Sequence, residues 1–295
     1  MEIKLKTPEE NFLGLGREYS EFENSRIVIL PIPFETSTSY GKGTAHAPEE
    51  IIKASHQIEF YDIELEREIC LEGIATCCDF VIEHKDNKKA AGEIASYIKF
   101  FLNHEKVPII LGGEHSITLG SIMAFSEYRN DFTVLHMDAH CDLYQSYQNN
   151  PYSHASVMRR VYEIYKNIVS MGIRSVSEEE VSFIKSNKIH VFFADKMSSK
   201  DLWDNIIETL NDNVYITFDF DFFDPSLIPS VGTPEPGGFL WTETLNFLKN
   251  LALRKNIIGA DFVEFSPISD VFFPNYIAAK FIYKIIGYIY SFCKS

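Results

Sequence analysis

The chain has 295 residues, enough for one large domain or two small ones with a substantial core. Hydrophobic residues make up 45% and charged residues 23%, a balance that excludes a disordered or fibrous chain. With 42 acidic against 27 basic residues the formal charge is −15, a surface that repels phosphate backbones and argues against a nucleic-acid partner.

In chain order, the leading Met1-Glu2-Ile3-Lys4-Leu5-Lys6 alternates charged with apolar side chains and has no secretory apolar core. The first predicted strand, 27–32, precedes a predicted helix over 48–55. That helix begins at Pro48 and carries Glu49 and Glu50, which suit the positive end of a helix dipole. A strand over 73–78 leads to a helix over 88–103 with Ala91, Ile94, Ala95, Ile98, Phe101 and Leu102 along one stripe. Strands follow over 107–111, 132–137, 168–173, 189–193, 214–218 and 257–263. Helices over 117–128, 155–165, 178–185, 200–210 and 242–251 separate or follow them. The last stretch, 271–292, is the most apolar, yet Lys280 and Lys284 interrupt it, so it reads as a buried or interface helix rather than a membrane span. Cys70, Cys77, Cys78, Cys141 and Cys293 are odd in number and lack CxxC spacing, which fits reduced thiols in a cytoplasmic protein.

No repeat or Gly/Ser/Pro-rich linker breaks the pattern, so a single domain over 1–295 is expected. Strands alternating with helices imply a parallel sheet with both faces covered. The continuous apolar run Val107-Pro108-Ile109-Ile110-Leu111 suits such a strand. Periodicity leaves two architectures open, an open doubly wound sheet and a closed barrel. Both place their chemistry at the carboxyl ends of the strands.

Three predicted strands end in acids or histidines. One runs into Gly112-Gly113-Glu114-His115-Ser116, another into Asp138-Ala139-His140-Cys141-Asp142, and a third into Asp219-Phe220-Asp221. Side chains at i, i+2 and i+4 of an extended chain point the same way, so Asp138, His140 and Asp142 can converge, as can Asp219 and Asp221. With His115 they form a set of four carboxylates and two imidazoles without an interleaved Lys or Arg. Such carboxylates repel unless cations compensate them. Six side chains exceed the needs of one tetrahedral zinc. Oxygen and imidazole donors without thiolate favour manganese, and bridging aspartates could hold two ions ~3.5–4 Å apart. The bland alternatives are turns and caps: Ser116 could cap the helix after it, and His154 the one after that position. Glu114 sits where a phosphate loop would carry lysine, so the Gly-Gly turn is a poor phosphate cradle.

These motifs closely resemble the ureohydrolase family of arginases and agmatinases. The likeness extends through Asp219-Phe220-Asp221-Phe222-Phe223-Asp224-Pro225, Gly232-Thr233-Pro234-Glu235-Pro236-Gly237-Gly238 and Asp261-Phe262-Val263-Glu264-Phe265-Ser266-Pro267. Pro33-Phe34, Tyr40-Gly41 and Ala47-Pro48 are similar to the family's first loop and helix. The resemblance implies a three-layer α/β/α sandwich with a mostly parallel eight-stranded sheet, and two Mn2+ ions. It assigns one ion to His115, Asp138, Asp142 and Asp219, and the other to Asp138, His140, Asp219 and Asp221. It further implies hydrolysis of a guanidino group to an amine and urea, with Glu264 holding the cationic group. Asp142 would orient the hydroxide and accept its proton, and His154 would protonate the departing amine.

His136, inside a strand, reads as a core histidine, and Cys141, between two ligand positions, as packing. Asp224-Pro225 and Gly232-Thr233-Pro234 read as turn formers of the site wall. The run Tyr147-Gln148-Asn149-Asn150-Pro151-Tyr152-Ser153-His154, followed by Ala155, departs from the arginase pattern, while Ser153-His154-Ala155-Ser156 with Met158-Arg159-Arg160 and the Gly232–Gly238 turn look more like agmatinases, so the resemblance implies agmatine as substrate. Aminopropylagmatine, guanidinobutyrate and arginine are the rivals, beside zinc-dependent deacetylation or a non-catalytic metal-binding role. The family resemblance and the apolar terminal helix imply a homo-oligomer, trimeric or hexameric.

Overall fold

The computed structural model describes residues 3–197 and 200–293; Met1, Glu2, Ser198, Ser199, Lys294 and Ser295 of the expected 1–295 domain lie outside it. Its strands are β1 (Ile27–Ile32), β2 (Ile74–Thr76), β3 (Val107–Gly112), β4 (Phe132–Met137), β5 (Ile168–Ile173), β6 (His190–Phe193), β7 (Asn213–Asp219) and β8 (Asn256–Val263). They form one open sheet in the order β2-β1-β3-β8-β7-β4-β5-β6, and every pairing is parallel. The barrel alternative is thereby excluded.

The helices are α1 (Ala47–Ser55), α2 (Asn87–Leu102), α3 (Thr118–Tyr128), α4 (Val157–Ile164), α5 (Glu178–Asn187), α6 (Lys200–Thr209), α7 (Trp241–Arg254) and α8 (Phe273–Phe292). Alternation along the strands sorts them into two layers. Ile27, Ile29, Ile109, Leu111, Ile216 and Phe218 face a core that takes in α1, α6, α7 and α8. Val28, Leu30, Ile110, Val134 and Tyr215 face the other, built with α2, α3, α4 and α5. The result is the three-layer α/β/α sandwich expected from the sequence.

The terminal helix corrects one expectation. Ala278, Phe281, Ile282, Ile285, Ile286 and Ile289 of α8 are buried by the chain itself, with α1 and α7 as neighbours, so its apolar face needs no second subunit. Lys284, which breaks the apolar run, is also buried and pairs with Asp62 at 2.9 Å and with Glu64. No helix among the described residues is long and apolar enough to cross a membrane.

What matters for chemistry is the middle of the sheet. The register pairs Phe262 with Leu111, Val263 with Asp219 and Phe218 with Met137, so β3, β8, β7 and β4 end side by side at one edge.

Candidate active site

Each of these four adjacent strands delivers polar side chains to that edge. After β4 the alternation carries Asp138, His140 and Asp142 forward. Asp138 Oδ1 accepts from His140 N at 2.6 Å, and Asp221 Oδ1 accepts from Ala139 N at 3.0 Å, which ties the ends of β4 and β7 together. Asp219 Oδ1 in turn accepts from Asp221 N at 2.8 Å. Asp142 and Glu264 have φ of 51° and 60°, a left-handed backbone that costs a side-chain-bearing residue about 1–3 kcal/mol and clusters at functional sites.

All six side chains expected from the sequence as metal ligands are brought together. His115 Nδ1 lies 3.2 Å from Asp138 Oδ2, 3.1 Å from Asp142 Oδ2 and 3.4 Å from Asp219 Oδ2. His140 Nδ1 lies 2.8 Å from Asp221 Oδ2 and 3.6 Å from Asp138 Oδ1. Asp138 thus belongs to both groups of closely spaced donor atoms.

The residues fit a pair of cations on one decisive observation. His115 Nδ1 is buried without an aligned hydrogen-bond partner, although three carboxylates surround it. Its other nitrogen, Nε2, sits 2.9 Å from Thr217 Oγ1, whose own hydrogen goes to Asp261 Oδ1 at 2.6 Å. Thr217 therefore accepts from Nε2–H, which leaves Nδ1 as the nitrogen that faces the carboxylates, an arrangement suited to a shared metal.

Electrostatics inside the cluster run in opposite directions. Burial, reinforced by Asp221 and Asp138, lifts the Asp219 carboxyl well above its ordinary range. Burial lifts Asp138 too, but His136, His115 and His140 outweigh it and hold that carboxyl well below. This is the conflict expected of closely packed acids, and cations bound among them would relieve it.

The cluster opens into a cavity of about 260 Å3 lined by Asp142, Tyr144, Tyr147, His154 and Glu264 among others. Glu264 Oε1 accepts from His115 N at 2.6 Å, and burial, with Glu114 and Asp142 nearby, pushes its carboxyl well up. His154 opens the turn His154–Ser156 ahead of α4, and its ring meets Tyr147 edge-on, with centroids 5.7 Å apart. Neither Ser116 nor His154 caps its helix; the Ser116 hydroxyl donates to Glu114 instead.

Sequence reasoning missed several supports. His136 is a core residue as expected, but its Nε2 also sits 2.7 Å from Asp138 Oδ2 while Nδ1 meets Ser170 Oγ at 3.0 Å. The alternation that marks Asp138 and His140 extends back to it, and that was the available signal. Arg174 donates to the carbonyls of Asp221, Phe222, Phe223 and Glu235, clamping the loop that carries Asp221. Glu114, which is not among the cavity-lining residues, is completely buried and gathers the backbone N–H groups of Thr36 and Ser37. Gly113 allows this, because a Cβ there would meet Phe34 O at 2.1 Å. Cys141 is core packing, and Asp224 is a turn former, accepting from Ser226, Gly237 and Gly238.

A model of the arginase family matches residues 25–287. An N(1)-aminopropylagmatine ureohydrolase of Synechocystis sp. is 37% identical over 277 residues, which cover 91% of this chain and 90% of that protein. An agmatinase of Bacillus cereus is 31% identical over 257 residues, covering 86% of this chain and 88% of that one. Among solved structures, an agmatine ureohydrolase of Thermoplasma volcanium matches with a TM-score of 0.84 at 32% identity, covering 98% of this chain and 95% of that one. Fold, strand-end chemistry and these likenesses agree: the chain belongs to the arginase family and is a ureohydrolase that cleaves guanidino groups.

Proposed function

We propose that the chain hydrolyses the guanidino group of N(1)-aminopropylagmatine to urea and the corresponding amine, through a single ureohydrolase domain. The observation that carries the chemistry is the buried His115 Nδ1 ringed by three carboxylates beside a cavity. The sequence pattern alone put agmatine first. The higher identity to the aminopropylagmatine enzyme than to the agmatinase favours the longer substrate. Tyr144 and Tyr147 line the cavity, and aromatic rings attract the ammonium groups of a polyamine chain.

His115, Asp138, Asp142 and Asp219 would hold one Mn2+, and Asp138, His140, Asp219 and Asp221 the other. When bound, the pair supplies a hydroxide near neutral pH and a positive field beside the guanidinium carbon. Glu264 fixes the cationic group by charge and hydrogen bonding. Asp142 orients the nucleophile and accepts its proton. As the C–N bond breaks, its electron pair stays on the departing nitrogen, and His154 delivers a proton there. The five unpaired cysteines support a cytoplasmic setting, and the family resemblance a homo-oligomer.

The test is urea release by manganese-loaded protein from aminopropylagmatine, agmatine, guanidinobutyrate and arginine side by side. The highest kcat/KM is expected with aminopropylagmatine. A tenfold preference for agmatine would make the chain an agmatinase instead, and silence on all four would remove the hydrolase reading.

A further inference from the structure

The buried Glu114 carboxylate collects more hydrogen bonds than any capping duty needs, and one of them leads to His154. Besides Thr36 N and Ser37 N at 2.5 Å each, it accepts from Asn87 Nδ2 at 2.8 Å and Ser116 Oγ at 2.5 Å. It also accepts from Ser37 Oγ at 2.8 Å. A serine hydroxyl has a single hydrogen, and here it is directed at Glu114. Only lone pairs of Ser37 Oγ remain for other neighbours. One accepts from His154 N at 3.0 Å; the same oxygen lies 3.4 Å from His154 Nδ1. An oxygen whose hydrogen is engaged elsewhere can meet that nitrogen only as an acceptor, so Nδ1 carries the hydrogen. Contacts of this length in a site without substrate tighten in the working complex. Nε2 has no hydrogen-bond partner among the described residues, while the ring lines the cavity.

We propose that Ser37, pinned by Glu114, is a positioning residue that fixes the His154 ring with its hydrogen on Nδ1, leaving Nε2 to serve the departing amine. This rests on the reading of His154 as the proton donor. In the step concerned, the scissile C–N bond breaks, the nitrogen keeps the electron pair, and the proton on Nε2 moves to it. The ring is left neutral in the tautomer that Ser37 accepts. Without Ser37 Oγ the ring is free to rotate and to settle with its hydrogen on Nε2. The Gly-Gly-Glu-His turn then has two duties: His115 goes to the ligand cluster, and Glu114 sets the proton donor through the first loop.

The experiment uses two substrates of the loaded enzyme. One is the alkylguanidine it turns over best. The other is its analogue with oxygen bonded to the departing nitrogen, a weaker base that needs little protonation. Ser37→Ala is expected to lower kcat on the alkylguanidine about 30-fold, short of the roughly 100-fold or more that loss of a general acid costs because His154 itself remains, with KM nearly unchanged. On the oxygen-linked analogue kcat should fall less than about threefold, because the proton matters little there. Ser37→Cys, close in shape, should show the same split, and Ser37→Thr should restore wild-type rates. Equal losses on both substrates, or none, would overturn the proposal. His154→Ala separates the two levels of inference. If it shows the split and the Ser37 variants do not, the Ser37 role alone fails. If it shows no split, the reading of His154 fails and the Ser37 role with it.

Discussion

Asp219 is where the electrostatic tension of the site is easiest to measure. Burial, then Asp221 and Asp138, raise its carboxyl well above the ordinary value. Between the ordinary and the raised value the unfolded chain has lost a proton that the folded chain keeps. Folding then takes up a proton, and stability falls as pH rises through that window. Asp219→Asn removes this penalty. In protein stripped of metal by chelation, the variant should melt above the wild type at pH 7, by about 2–4 °C for each kcal/mol released. The gap should close near pH ~4, where the unfolded carboxyl is itself protonated. Urea release should fall at least about 100-fold for want of a ligand. Melting curves against pH check the first point, and a variant less stable than wild type at pH 7 would refute it. At this scale Asp138, His140, Asp142, Asp219 and Asp221 were legible because acids in alternation just past an apolar strand have few structural uses. His136 and Thr217 obey the same alternation but lie within strands, where only the register across the sheet shows which of them meets a ligand. Arg174 gave no signal, since its acceptors are carbonyls about 50 residues further along the chain.

Elements were legible to the extent that apolar periodicity defined them. The predicted strand 73–78 shrinks to Ile74–Thr76 because the chain departs there: Cys78 N bonds Lys4 O, and Cys77 bridges Leu5. The ribbon pairing Tyr61–Asp62 with Arg67–Glu68 is too short for any pattern to mark. Helix α8 was found, but the covering of its apolar face by its own chain was not, because that depends on how the two layers close. Lys284 shows what holds it there. It is buried against Asp62, which is 3% exposed, and against Glu64 nearer the surface. Removing the cation leaves Asp62 buried without it, so Lys284→Met should cost about 3 kcal/mol at pH 7. Burial by itself raises the Glu64 carboxyl, but hydrogen bonds from Lys284, Lys249 and Tyr288 outweigh it and bring it down to about 2. A carboxyl lowered by folding contributes its full stability above its ordinary value of 4.5 and loses it as pH falls toward about 2. The deficit of Lys284→Met should therefore shrink across that interval. Urea denaturation at pH 7 and pH 3 measures it, and an equal deficit at both would show that ion pairing does not hold the helix.

For the whole molecule the ligand edge sets a condition on folding itself. Its donors come from β3, β4 and β7, segments far apart in sequence that meet only when the sheet is complete. Cations bound there recognise the folded chain and have no comparable site on the unfolded one. Binding must then stabilise the fold by RT ln(1 + [L]/Kd), about 2.7 kcal/mol at a hundredfold excess over Kd. The melting temperature should climb steadily with free Mn2+ and fall back on chelation. The geometry makes the response divisible. Asp138 stands in both donor groups, whereas Asp221 stands in one. Asp138→Asn should abolish the rise, and Asp221→Asn should leave a smaller one from the His115 side. Calorimetry over a manganese series, with bound metal counted in each variant, checks both. Melting that ignores manganese in the wild type, or a rise that survives intact in Asp138→Asn, would mean that the acids at the sheet edge tolerate one another by some means other than shared cations.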